Sequence, residues 1–118
     1  MGSRWAELIV DAIDPPRLAR WWAEVLDYRL LYDDTDIVGI GHDEGSQPSI
    51  VFVRVPETKM GKNRLHLDLS PDDDAAELER LVNMGARRVD VGQPGEAAWT
   101  VLADPEGNEF CVLRAPLT

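Results

Sequence analysis

One cysteine, Cys111, is all the chain has, so an internal disulfide is excluded and a reducing compartment fits. No apolar run approaches membrane-spanning length, and Met1 to Trp5 lead directly into an alternating pattern with no signal-peptide core. A membrane partner is not expected, and the expected location is cytoplasmic. Basic residues are few as well: 12 Lys and Arg stand against 22 Asp and Glu, a formal net charge of -10. That balance repels nucleic acid phosphates, so nucleic acid is not an expected partner. The glycine-rich stretch Gly39 to Ser46 lacks the Lys-Ser/Thr ending of a P-loop and the strand-to-helix setting of a dinucleotide fingerprint, which argues against a phosphate cradle.

What is present suffices for one globular domain. A length of 118 residues allows a real core with little room for an unrelated second module, and four tryptophans argue against disorder. Trp5 to Asp11 alternates as a strand does, with Ala6, Leu8 and Val10 on one side and Trp5, Glu7, Ile9 and Asp11 on the other. Asp14 before Pro15-Pro16 reads as a helix N-cap, and Leu18, Trp21, Trp22, Val25 and Leu26 recur at helical spacing, which puts the tryptophan pair in the core. Tyr28 to Tyr32, Ile37 to Ile40 and Ile50 to Val55 read as strands, and His42 as a solvated loop histidine.

After a polar linker, Glu57 to Asn63, the pattern starts again. Leu65 to Leu69 alternates, with leucines toward a core and His66 and Asp68 opposite. Ser70-Pro71-Asp72-Asp73 has the form of a helix start capped by Ser70, with Leu78, Leu81 and Val82 as its buried stripe and Gly85 at its end. The run Asp72 to Asp74 suits the positive end of a helix dipole rather than a metal. Arg88 to Val91 and Ala98 to Ala103 read as strands around a loop, Gly92 to Glu96. Asp104-Pro105-Glu106-Gly107-Asn108 is a tight turn into a last strand from Phe110.

Both halves therefore read strand, helix, strand, strand, strand. Val51 to Thr58 lines up with Cys111 to Thr118, sharing Arg, Pro and Thr at the same places, and Glu7 stands seven residues before Asp14 as His66 does before Asp73. Parity sends Leu8, Val10, Leu65, Leu67, Leu69, Ile50, Phe52, Phe110 and Val112 toward the helices. A concave face collects Trp5, Glu7, Ile9, Val51, Val53, His66, Asp68, Glu109, Cys111 and Leu113, a polar group set among apolar ones as in a small-molecule pocket.

The histidine-bearing strand, the helix and the closing Asp104-Pro105-Glu106-Gly107-Asn108 hairpin together resemble the glyoxalase/bleomycin-resistance/dioxygenase family, the vicinal oxygen chelate superfamily. The resemblance extends over nearly the whole chain. It implies a single α+β domain, residues 1–118, built of two tandem βαβββ modules, at about 4–58 and about 64–118, forming a curved mixed sheet with helices outside. It also implies a homodimer.

In that family each half offers one metal-ligand position on its first strand and one on its last, and here those positions hold Glu7, Val51, His66 and Cys111. Valine coordinates nothing and a thiol replaces the usual glutamate, which breaks the hard oxygen and nitrogen sets that favour iron, manganese or nickel. The expectation is a protein that binds a small organic molecule without a metal, lined by Trp5, Ile9, Val51, Val53, Asp68, Cys111 and Leu113; net acidity favours a cationic or neutral ligand. An alternative is a lyase, isomerase or epimerase using Glu7 and His66 as acid–base groups, with or without a divalent metal (Zn, Ni, Mn or Fe) on those two residues. A third is an accessory module with a vestigial pocket. With His66 the only histidine at those positions, the resemblance does not extend to an extradiol dioxygenase site. Cys111 reads as a small buried hydrophobe rather than a reactive thiol, and His66 without a ligand would be held by a carboxylate such as Glu7 or Asp68.

Overall fold

The sequence repeat becomes two compact units, Met1–Thr58 and Lys59–Thr118, in a computed structural model that describes residues 1–89 and 98–114. The first unit runs β1 (Glu7–Ala12), α1 (Pro15–Leu26), β2 (Arg29–Asp33), β3 (Ile37–Gly41) and β4 (Ser49–Arg54). The second runs β5 (Asp68–Leu69), α2 (Asp74–Asn83), β6 (Arg87–Arg88), β7 (Trp99–Ala103) and β8 (Glu109–Leu113). Each unit forms its own four-stranded sheet, ordered β1-β4-β3-β2 and β5-β8-β7-β6. The first and last strands of each unit pair in parallel, and the remaining pairs are antiparallel. The helix in each unit is the crossover that returns the chain across its sheet.

The helix starts show the repeat at the level of single hydrogen bonds. Asp14 accepts from the Arg17 N–H at 3.2 Å, and 59 residues later Asp73 accepts from the Ala76 N–H at 3.1 Å. In the first unit Leu18, Trp21, Trp22 and Val25 of α1 are buried against Val38, Ile40, Ile50 and Phe52, the last four from alternate positions of β3 and β4. Trp21 and Trp22 meet edge to face at 5.1 Å, so the pair is core packing, as its spacing predicts. Fully burying one such side chain is worth about 1.5–3 kcal/mol, so this one layer accounts for much of what holds the unit. In the second unit the layer is Leu78 and Leu81 over Leu102, Phe110 and Val112.

Five readings need correcting. β1 begins at Glu7, which leaves Trp5 before the strand and 63 % exposed. The strand expected over Leu65 to Leu69 is reduced to Asp68–Leu69, and Leu65 is 81 % exposed rather than core-facing. The reason lies opposite: β8 starts at Glu109, whose carboxylate takes the Asn63 N–H at 2.8 Å, so the linker is tied down there and the ladder opens only at the Leu67 carbonyl. The α2 cap is Asp73, not Ser70, because Asp73 is the residue whose carboxylate reaches a free N–H of the first turn. Val82 is 43 % exposed, at the margin of the stripe, over a groove that it shares with Thr100, Arg88 and Arg114. The strand expected from Arg88 is Arg87–Arg88; Asp90, Val91 and the loop Gly92 to Glu96 lie outside the described residues, as do Ala115 to Thr118.

The closing turn is organised by one side chain. Asp104, 1 % exposed, accepts from the Glu106 N–H, the Asn108 N–H and the Asn108 amide at 2.9–3.3 Å, while its own carbonyl accepts from Gly107 at 2.8 Å. Gly107 sits at φ 90°, a conformation that an L side chain rarely adopts. Asp104 and Gly107 are thus structural, as read.

Candidate functional site

The faces of the two sheets turned away from the helices carry the residues that parity singled out. In the first unit Ile9, Val51, Gly39 and Tyr32 form one row across β1, β4, β3 and β2. Asp11, Val53 and Ile37 form the next row, and Glu7 stands beside Ser49 at the other side. Ile9 is 48 % exposed, Val53 half-buried and Val51 buried. Trp5 stays close to this edge through its indole N–H, which donates to the Glu7 carbonyl at 3.2 Å.

Tyr32 and Ile37 belong to this face and were not among the expected site residues. A bulge between Leu30 and Tyr32 shifts the register of β2, so parity counted from the sequence does not place Tyr32. The signal that was available is Gly39 in mid-strand, which marks a close approach. A Cβ on Gly39 would stand 2.5 Å from two atoms of the Tyr32 ring; its absence leaves the ring room there. Burial first, and then the negative charge of Glu7, push the Tyr32 phenol above its ordinary value, which puts the phenol and Glu7 within electrostatic reach on one face.

In the second unit Asp68, Cys111 and Val101 form the corresponding row, with Leu113 beside Trp99 in the next. His66 precedes β5, and its Nδ1 lies 3.3 Å from the Asp68 carboxylate and 3.9 Å from the Cys111 thiol. The donor atoms of His66, Asp68 and Cys111 lie within 4.8 Å of one another. Asp68 is therefore the carboxylate that holds His66, one of the two partners considered for it. Cys111 is 5 % exposed, and burial, reinforced by the charge of Asp68 and a hydrogen bond to it, pushes the thiol up to about 11. It is protonated at neutral pH, and the small-hydrophobe reading of it stands. Val101 and Trp99 were missed because only the first and last strands of each half were expected to contribute.

Glu109 reaches the same sheet but is already engaged. Its side chain is 12 % exposed and takes the Asn63 N–H and the Lys59 ammonium, the latter at 3.1 Å. Burial pushes its pKa up, and those hydrogen bonds and the lysine charge outweigh it, so the carboxyl lies below its ordinary value. His42 is exposed beside Asp43, as its loop position predicts.

The hard oxygen and nitrogen donor set that the resemblance implies is incomplete at the four expected positions. The last-strand position of the first half is a buried valine, and that of the second half is a buried thiol in place of a carboxylate. A hard oxygen and nitrogen set for iron, manganese or nickel is not assembled from them. Among the described residues, no helix is long and apolar enough to cross a membrane.

A family model for a glyoxalase-like domain matches residues 7–113. No curated protein matches the sequence. Among solved structures, the fosfomycin resistance protein FosX from Mesorhizobium loti is similar with a TM-score of 0.72 at 17% identity, covering 99% of this chain and 95% of that one. A bleomycin-binding protein from Streptomyces verticillus, solved with copper(II)-bleomycin, gives a TM-score of 0.63 at 17% identity and 99% coverage of both chains. The trypanothione-dependent glyoxalase I of Leishmania major gives 0.68 at 14% identity, covering 95% and 86%. At these identities the likeness is one of fold.

Proposed function

This chain belongs to the glyoxalase-like domain family, and from that premise we propose that it binds a small organic molecule on the open sheet faces without a resident metal. The observation that carries the reading is the state of Cys111. The position where the family's metalloenzymes would carry a carboxylate holds a buried thiol kept protonated by its surroundings, and its counterpart in the first half, Val51, has no donor atom. What remains around them is apolar surface with a few polar groups, Ile9, Val53 and Tyr32 in one unit and Val101, Leu113 and His66 in the other, which is the composition of a ligand site rather than of a metal centre.

The test is metal content of protein purified without a histidine tag and then exposed to zinc, nickel, manganese and iron(II), with His66→Ala alongside. The reading predicts well under one metal per chain in both proteins. Stoichiometric metal lost in the variant would overturn it.

One contact supports a second, catalytic reading. Asp68 on Nδ1 of His66 orients the imidazole and leaves Nε2 as a general base for proton abstraction next to a carbonyl, the chemistry of a lyase, isomerase or epimerase. Turnover that disappears in His66→Ala and Glu7→Ala yet persists in chelator identifies this case.

A further inference from the structure

The open face of the first sheet carries two carboxylates without cations. Glu7 and Asp11 flank Ile9 on β1, two residues to either side, so each lies roughly 7 Å along the strand from it. Neither has an ion-pair partner among the described residues, and three of the unit's five arginines are engaged elsewhere: Arg20 with Asp33, Arg29 with Asp43, Arg54 with Asp36. Residues 1–58 carry five arginines, no lysine and eleven carboxylates, so the field over this face attracts positive charge.

Between and beside those carboxylates the surface is apolar, and part of it is aromatic. Ile9, Tyr32 and Ile37 are 48 %, 45 % and 38 % exposed on adjacent rows of the face. The Tyr32 ring comes close to Gly39, where a Cβ would stand 2.5 Å from two of its atoms. A π face within about 6 Å of an ammonium group attracts it.

Resting on the reading of this protein as a small-molecule binder, we infer that the ligand at this face is an organic cation with an apolar body. Its body lies on Ile9, Ile37 and the Tyr32 ring, and its charge sits between that ring and the carboxylates of Glu7 and Asp11. A neutral molecule of the same shape gains only the apolar contacts, and an anion meets repulsion.

Three probes of matched shape test this on the full chain, followed by amide NMR titration: benzyltrimethylammonium, its uncharged carbon isostere neopentylbenzene, and phenylacetate. The cation is expected to shift the amides of Ile9, Ile37 and Gly39 and to bind about tenfold more tightly than the isostere, a difference within the range of one cation–π contact plus a carboxylate. Glu7→Gln with Asp11→Asn, both on exposed side chains, is expected to remove most of that preference. Tyr32→Phe is expected to keep the preference and Tyr32→Leu to reduce it several-fold, about the factor of a single exposed cation–π contact.

Equal binding of cation and isostere, or tighter binding of phenylacetate at these amides, overturns the cation and leaves the small-molecule reading standing. Absence of all three probes from this face, with a Tyr32-dependent dimer in sedimentation, overturns it in favour of a second copy as the occupant.

Discussion

Asp68 and Cys111 face each other across the parallel pairing of β5 and β8, which sets a carboxylate beside a buried thiol. Burial first, and then that charge, make the thiolate costly and keep Cys111 protonated at neutral pH. The relationship repeats that of Ile9 and Val51 in the first unit, with polar groups substituted at both places.

The first prediction concerns that thiol. Native Cys111 is expected to titrate near 11, measured from the pH dependence of iodoacetamide alkylation, and Asp68→Asn to bring it down toward the ordinary range. Because the folded value lies above the unfolded one, about 8.5, the folded protein holds the proton longer. Its stabilising effect is therefore complete below about pH 8.5 and is lost as pH rises through 11, at a slope approaching about 1.4 kcal/mol per pH unit. Cys111→Ala flattens that alkaline limb.

The second concerns Glu109, whose carboxyl is held below its ordinary value. Its contribution is present above the unfolded pKa, about 4.3, and is lost as pH falls through the lower folded value. In urea unfolding, Glu109→Gln is expected to cost about 1–3 kcal/mol at pH 7 and progressively less as pH falls through the folded value, where the native side chain becomes uncharged as well.

The third concerns the approach of Tyr32 to Gly39. Gly39→Ala puts a methyl group 2.5 Å from the ring and is expected to destabilise by about 1–3 kcal/mol. In the background of Tyr32→Ala the same change has space and should cost well under 1 kcal/mol, so a double-mutant cycle gives a coupling of about 1 kcal/mol or more. Additive effects would show that the ring does not lie over the glycine.

The fourth uses the two equivalent caps. Asp14→Ala and Asp73→Ala are each expected to cost about 1 kcal/mol by urea unfolding, since each carboxylate takes a first-turn N–H.

Much of this was legible in the sequence because it rests on local chemistry. The spacing from Glu7 to Asp14 and from His66 to Asp73 fixed the repeat, and Asp104 and Gly107 announced their turn. Ile9, Val51, Asp68 and Cys111 fell on the predicted face because strand parity holds wherever no residue is inserted. Tyr32 escaped because a bulge moves it, and Trp99 and Val101 because middle strands carry no motif. Leu65 misled because the Asn63 and Lys59 contacts with Glu109 join residues 46 and 50 positions apart, which no local pattern records.

The central claim is ligand binding without a metal, and the most direct test is the thermal shift of chelator-treated protein across a panel of small organic molecules that includes cations. The account predicts at least one compound that raises the melting temperature, by an amount unchanged when zinc, nickel, manganese or iron(II) is restored. Shifts that vanish in chelator and return only with one of those metals would contradict it.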